Sequence, residues 1–288
     1  MRRYRRDVGR DGEASAGADR GTASAALRPT NLPSGIRLVD VVGRGATSTV
    51  WRARDRREGR DVAVKVLPLP PDPAGRELAV ARFEHEVRSL ARLSDLPQVL
   101  ALRAAGTDRA GCWLVTPLAR GSLADLAPIG RDDVLGVATA TSAALAGAHD
   151  RDVVHGDVSP ANVLWVDDGP VVSDFGLAVL QPVPGAGGSA GRASLGATPG
   201  WAAPERLEGE VPTPASDAYG WGATIWTACT GERPPVLGVP ALDRVPRGLA
   251  AIVRSCCDSR PAARPTMAEV VREVAGEARR RARYCPEP

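Results

Sequence analysis

Between Ile36 and Leu69 short runs rich in β-branched residues, IRLVDVVGRG, TSTVWRARD and DVAVKVLPL, are separated by glycine and charged turns. That pattern predicts three antiparallel strands. In the next stretch, RELAVARFEHEVRSLARL, Val80, Phe83, Val87, Leu90 and Leu93 recur at intervals of three and four, which gives a helix one apolar face. Two further strand-like runs, LALRAAG and GCWLVTPL, complete a small sheet-based unit over residues 35–116. Beyond GSLADL the pattern becomes mostly helical. Asp132 or Asp133 is placed to cap a helix running to His149, and Ser216 or Asp217 to start the apolar helix AYGWGATIWTACTG, which Gly231 ends. Two strand signals lie between these helices: VVHGDV with ANVLWV, and VVSDFG. Residues 181–197 are rich in Gly, Ala, Ser and Pro, and a loop of that length inside a compact domain is usually functional. The expected class is α+β, with a small antiparallel-sheet lobe carrying one main helix and a larger, mostly helical second lobe.

The ends lack this patterning. Residues 1–34 hold few large apolar groups and are expected to form a disordered basic leader, with a short tail over 279–288. Charge separates the leader from the rest. Seven arginines against four acidic residues in positions 1–30 account for the whole net charge of +3, and the remaining 30 basic and 30 acidic residues cancel. A nucleic-acid partner therefore has no support in the globular part. The longest apolar stretch, Val134 to Ala148, is interrupted by Thr139, Thr141 and Ser142 and falls short of the roughly 20 residues a membrane span needs. No apolar segment of a secretory signal follows the basic start. Five cysteines without C-x-x-C or zinc spacing read as reduced thiols, so the expected setting is cytoplasmic.

Lys65 is the single lysine among 37 Lys and Arg residues. A bias toward arginine leaves surface cations interchangeable, but a crowded site that needs a compact ammonium does not accept the exchange. Lys65 lies within the strand Val-Ala-Val-Lys, where an unpaired buried charge is costly, and Glu86 on the following helix is its natural partner. Upstream, Gly43-Arg-Gly45-Ala-Thr-Ser48-Thr-Val50 is a glycine turn through which backbone N–H groups can approach phosphates. Further on come His155-Gly-Asp157-Val-Ser-Pro160-Ala-Asn162 and Asp174-Phe-Gly176, two carboxylates and a carboxamide suited to hard-oxygen coordination of Mg²⁺, with one carboxylate left to accept a proton. Scarce side chains cluster in these motifs: one of two Asn, one of two Phe and one of three His.

This set, in this order, resembles the eukaryotic-like serine/threonine protein kinase family in its bacterial form, and the resemblance covers residues 36–278. It implies ATP with Mg²⁺, or Mn²⁺ in its place, bound between the lobes, and protein substrates that remain unidentified. Val42, Gly43, Arg44, Gly45, Ala46 and Ser48 would form the nucleotide loop, with Ser48 in place of its third glycine. Val50, Ala63 and Leu164 would sandwich adenine, Thr116 would be the gatekeeper, and Leu118 would lie in a hinge over 117–121 that divides the lobes 35–116 and 122–278. By the same resemblance Lys65 holds phosphates with Glu86 as its partner, Asp157 is the catalytic aspartate, and Asn162 and Asp174 are metal ligands. The segment Gly196-Ala-Thr198-Pro-Gly-Trp-Ala-Ala203-Pro204-Glu205 resembles the substrate-docking end of the activation segment, with Arg264 placed to pair with Glu205.

Two positions depart from the family. Gly156 replaces the arginine that commonly pairs with a phosphorylated activation loop, which weakens the case for activation by loop phosphorylation while Ser189, Ser194 and Thr198 stay open as sites. Ser159 replaces the lysine that neutralises the transferring phosphoryl group, a loss on the order of 10² in rate by analogy with removing one preorganised donor. Two other readings stay open. His-Gly-Asp also occurs in small-molecule kinases of related fold, and Ser159 suits a pseudokinase that binds nucleotide without transferring phosphate.

Overall fold

A computed structural model describes residues 28–45, 48–175, 198–236 and 241–284. Five strands, β1 (Ile36–Arg44), β2 (Thr49–Asp55), β3 (Arg60–Leu67), β4 (Ala104–Asp108) and β5 (Gly111–Pro117), form an antiparallel sheet in the order β1-β2-β3-β5-β4. Alternation along β3 sorts its side chains between two faces. Val62, Val64 and Val66 pack with Trp51, Ala53, Trp113 and Val115 on one face. On the other, helix α1 (Pro73–Arg92) lays Phe83, Val80 and Val87 against Cys112, Leu114 and Leu67. Asp72 caps α1 by accepting a hydrogen bond from Gly75 N, and Pro73 opens its first turn.

Residues 28–34 of the expected leader are fixed against the sheet, and residues 1–27 lie outside the described residues. Within the described residues, Thr30 and Asn31 hydrogen-bond to Asp108, Asn31 also bonds Thr107 O, and Trp113 Nε1 donates to Asn31 Oδ1 at 2.7 Å. Arg28 lies 4.9 Å from the Trp51 ring centroid. Polar side chains tie 28–34 to the sheet, a signal that a count of large apolar groups misses.

The second lobe begins with β6 (Gly121–Ser122) and the single-turn α2 (Leu123–Leu126), then α3 (Arg131–His149). Strands β7 (Val163–Val166) and β8 (Gly169–Val172) complete a three-stranded sheet, β6-β7-β8. After α4 (Pro204–Leu207) come α5 (Pro214–Thr230), α6 (Arg247–Cys256) and α7 (Met267–Tyr284). Helix α5 is apolar almost all round and correspondingly buried, as a helix through the middle of a core must be. Its Trp221 is fully buried and donates to Thr141 Oγ1 of α3 at 2.9 Å.

Three boundaries differ from expectation. Gly130, not Asp132 or Asp133, is the N-cap of α3, and the two aspartates occupy its first turn, where they still complement the helix dipole. Thr213 caps α5 in a capping box with Ser216, so the helix starts at Pro214, two residues before the expected Ser216 and three before Asp217, and the Asp217 carboxylate is free for another use. Helix α7 runs through residues 279–284 of the expected tail. Gly231 ends α5 in the left-handed region, φ 72°, as anticipated. Residues 153–158, expected as a strand, form no strand and bend at Gly156. No helix among the described residues is long and apolar enough to cross a membrane. Cys112, Cys229, Cys256 and Cys257 are free thiols, in keeping with the reduced reading.

One buried ion pair joins α4 to the segment before α7. Arg264 donates from Nη1 and Nη2 to Glu205 Oε1 and Oε2 at 2.5 and 2.8 Å, from Nε to Asp258 O at 2.8 Å, and lies over the Tyr219 ring. Burial would raise the Glu205 pKa, but the Arg264 hydrogen bonds outweigh it and hold the carboxyl below its ordinary value. Removing one partner strands the other charge, so Arg264→Met is expected to cost about 3–5 kcal/mol, measured as a lowered urea midpoint. Adding Glu205→Gln to that variant is expected to recover most of the loss.

Candidate active site

Sheet register assembles one wall of a cleft between the lobes. Val50 pairs with Lys65 and Lys65 with Leu114, while Ala63 pairs with Thr116, so these side chains share the face opposite the Val62-Val64-Val66 row. The cleft is about 500 Å³ and is closed below by Leu164 of β7 and Ala161. Its rim includes Val42, Gly43, Arg44, Gly45 and Ser48, and its back the connecting segment at Pro117 and Leu118. Ser122 and Asp125, which the sequence reading did not single out, also line it. Ala46 lies outside the described residues. Across the glycine turn, Gly45 N donates to Ser48 O at 2.8 Å, and a Cβ on Gly45 would stand 3.3 Å from Ser48 Oγ. The turn is tight enough that a side chain there would crowd its own closure.

Three charges meet at the inner end. Lys65 Nζ donates to Asp174 Oδ1 at 2.7 Å and lies 3.6 Å from Glu86 Oε1. The expected Lys65–Glu86 pair is therefore present, but Asp174 is the nearer carboxylate. Burial alone would lower the Lys65 pKa, yet the two carboxylates, Asp174 first, raise it above the ordinary lysine value. Glu86 is 1% exposed, and neither of its oxygens has a hydrogen-bond partner among the described residues. Loss of water pushes its pKa up to about 7 against the opposing pull of Lys65. Asp174 adopts φ 60°, a backbone conformation an aspartate holds only where its surroundings impose it. Phe175, fully buried, supplies part of that constraint by packing its ring 4.7 Å from His155.

Asp157 lies on the segment below. Asn162 Nδ2 donates to Asp157 O at 2.8 Å and to Asp157 Oδ2 at 3.3 Å, which leaves Asn162 Oδ1 as an acceptor for another group. Thr198 donates to Asp157 Oδ1 from its hydroxyl at 2.8 Å and from its N–H at 3.2 Å. That contact spans 41 residues, and spacing along the chain carries no trace of it. The segment itself is held by Asp217: Oδ2 accepts from His155 N at 2.8 Å and lies 2.9 Å from His149 Nε2, and Oδ1 accepts from Gly156 N at 2.8 Å. The His155 and Gly156 amides thus find their partner in Asp217, in place of a sheet. Gly156 sits at φ 82°, a conformation that glycine adopts at no steric cost and an arginine would hold under strain.

The donors fit a nucleoside triphosphate with a divalent cation. Two carboxylates face one ammonium at the inner end, Asp174 and Asn162 offer hard oxygens, and the outer walls are apolar. Asp174 and Asn162 would hold the metal, and Lys65 would meet phosphate oxygens.

The raised Glu86 pKa has a sign that can be tested. Between the unfolded value of about 4.5 and the folded value of about 7, the native state binds the extra proton, so this group's contribution to stability is full below about 4.5 and is lost as pH rises through 7. Glu86→Gln is expected to flatten the pH dependence of Tm and to raise Tm at pH 8 by roughly 2–4 °C, the shift about 1 kcal/mol produces in a domain of this size. Thermal melts at pH 5.5 and pH 8 check it.

Residues 36–274 match the protein kinase domain model, which runs from β1 into α7. The chain is 33% identical over 276 residues to the serine/threonine-protein kinase PknK of Mycobacterium tuberculosis, an alignment that covers 87% of this chain and 24% of that protein. It is 32% identical to the serine/threonine-protein kinase PkaA of Streptomyces coelicolor, over 82% of this chain and 48% of the relative. With PknL of Mycobacterium tuberculosis identity is 35%, over 67% and 48% of the two chains. The chain thus spans between about a quarter and a half of the length of these relatives. A match that contains both lobes, the cleft between them and every charged group at its inner end makes this chain a member of the protein kinase family.

Proposed function

We propose that this chain is a cytoplasmic serine/threonine protein kinase that transfers the terminal phosphoryl group of ATP to Ser or Thr hydroxyls of proteins, with Mg²⁺ or Mn²⁺ as the metal. The observation that carries the reading is the state of Asp157: its carboxylate is held by Asn162 and Thr198 at the end of the docking segment, below the Lys65–Asp174 pair. A carboxylate fixed there can orient an acceptor hydroxyl and take its proton, so the protein contributes mainly positioning and electrostatics. Lys65 binds phosphate oxygens and Glu86 sets the position of its ammonium. Val50, Ala63 and Leu164 provide apolar faces for a flat base, and Thr116 with Leu118 borders its edge. Asp174 and Asn162 ligate the divalent ion, which when bound supplies charge neutralisation for the phosphates.

The names of the relatives support a protein acceptor, as does the Glu205–Arg264 pair that fixes the docking segment from below. Ser159 remains the one feature that favours a slower or inactive enzyme. It is buried, caps a single 3-10 turn and brings no cation to the site.

Purified protein incubated with labelled ATP, Mg²⁺ and a panel of acidic and basic protein substrates tests the proposal. Asp157→Asn is expected to lower kcat by about 10²–10⁴, the range for loss of a general base, with ATP affinity within about twofold of the parent. Lys65→Met is expected to weaken ATP binding itself. Transfer by the parent no faster than by Asp157→Asn, with nucleotide still bound, would establish the pseudokinase reading, and label on a small alcohol but on no protein would establish the small-molecule kinase.

A further inference from the structure

The contact between Thr198 and Asp157 poses a mechanical question: what holds Thr198 in place. Gly156 presents no side chain beside Asp157, so no cation at that position can grip a phosphorylated loop. The turn that follows Thr198 is instead gripped from the far side. Trp201 N and Ala202 N each donate to Thr198 O at 3.1 Å, which folds residues 198–202 into a turn. Arg233 places its guanidinium under that turn, donating to Pro199 O from Nε at 3.1 Å and from Nη2 at 2.6 Å. The same guanidinium carbon lies 5.5 Å from the Trp201 ring centroid, within cation–π range. Trp201 is held in turn by its Nε1, which donates to Thr227 Oγ1 of α5 at 3.0 Å.

Gly200 provides an independent sign that this approach is built in. It sits at φ 94°, and a Cβ there would stand 3.0 Å from Arg233 Nε and 3.1 Å from Arg233 Cγ. Both the backbone conformation and the closeness of the arginine call for glycine. Arg233 itself follows the left-handed Gly231 that ends α5, so its root is tied to the most buried helix of the lobe. A guanidinium can fork onto one carbonyl and stack on an indole at once, whereas an ammonium would supply the charge without that planar geometry.

We propose that Arg233 is a positioning residue: it braces the Thr198–Trp201 turn so that Thr198 donates to Asp157 without any phosphate on the activation segment. This rests on the reading of Asp157 as the catalytic carboxylate. Loosening the brace frees the Thr198 hydroxyl from Asp157 and so misplaces the acceptor side of the site.

Arg233→Met, Arg233→Lys and phosphatase-treated parent test it. Arg233→Met is expected to lower kcat by about 10–100-fold, the scale of loss from a misplacement near 1 Å, with ATP affinity within about twofold of the parent. The loss should fall on kcat while the KM for ATP stays within about twofold of the parent, a split that a merely structural loss would not give. Arg233→Lys should fall between the two, and the phosphatase-treated parent should keep its kcat within about twofold. Parental kcat in Arg233→Met, or loss of activity on phosphatase treatment, overturns the proposal. Hydrogen exchange separates it from the kinase reading: the Thr198, Trp201 and Ala202 amides should exchange faster in Arg233→Met while those of α5 do not change, whether or not the protein transfers phosphate. Equal exchange at those three amides in parent and variant also overturns the brace.

Discussion

A single carboxylate, that of Asp217, anchors the working parts of this protein to its core. It is 1% exposed and takes the His155 and Gly156 amides and the His149 ring nitrogen. A buried charge without such partners would be costly, and here each partner belongs to the segment that leads into Asp157 or to the helix packed behind it. Because Asp217 sits in the first turn of α5, the deepest helix, the position of the reactive loop follows the packing of the whole lobe. The same helix reaches the other side of the site through Thr227 and Trp201, so both edges of the acceptor region refer back to one rigid element.

The inner cleft follows a different logic. Lys65, Glu86 and Asp174 come from the sheet, the helix on the sheet and the second lobe, and with all three ionised the cluster carries a net charge of −1. Two carboxylates share one ammonium, and the more buried of them, Glu86, bears the cost as a pKa near 7. Such a cluster is poor as a stabilising device and well suited to a polyanion with a divalent ion, whose charges would redistribute it. Stability given up at a site for the sake of a ligand is the usual direction of this trade.

Much of this was legible along the chain. The period-2 runs of the first lobe, the helix carrying Glu86 and the Gly231 stop of α5 are local patterns, enforced by sterics and by one apolar face each. Rare residues in a biased composition pointed at Lys65, Asn162 and Phe175. What escaped were features made by polar partners at long range. Residues 28–34 looked like leader because their anchors are Thr30, Asn31 and the indole N–H of Trp113, not apolar bulk. The VVHGDV run looked like a strand because it is rich in valine, yet its central amides, those of His155 and Gly156, are claimed by Asp217, some sixty residues later.

Order and type of residue were thus enough to indicate the two-lobed α+β class and to single out residues that the fold brings together in the cleft, because glycine turns, apolar periodicity and a lone lysine each carry their physical reason locally. Which carboxylate Lys65 touches, how Thr198 reaches Asp157 and why Gly200 is glycine emerged only in three dimensions. Each depends on the approach of groups from segments whose separation is set by how the lobes pack, and hydrogen bonds and charge pairs of that kind leave no period in the chain that bears them.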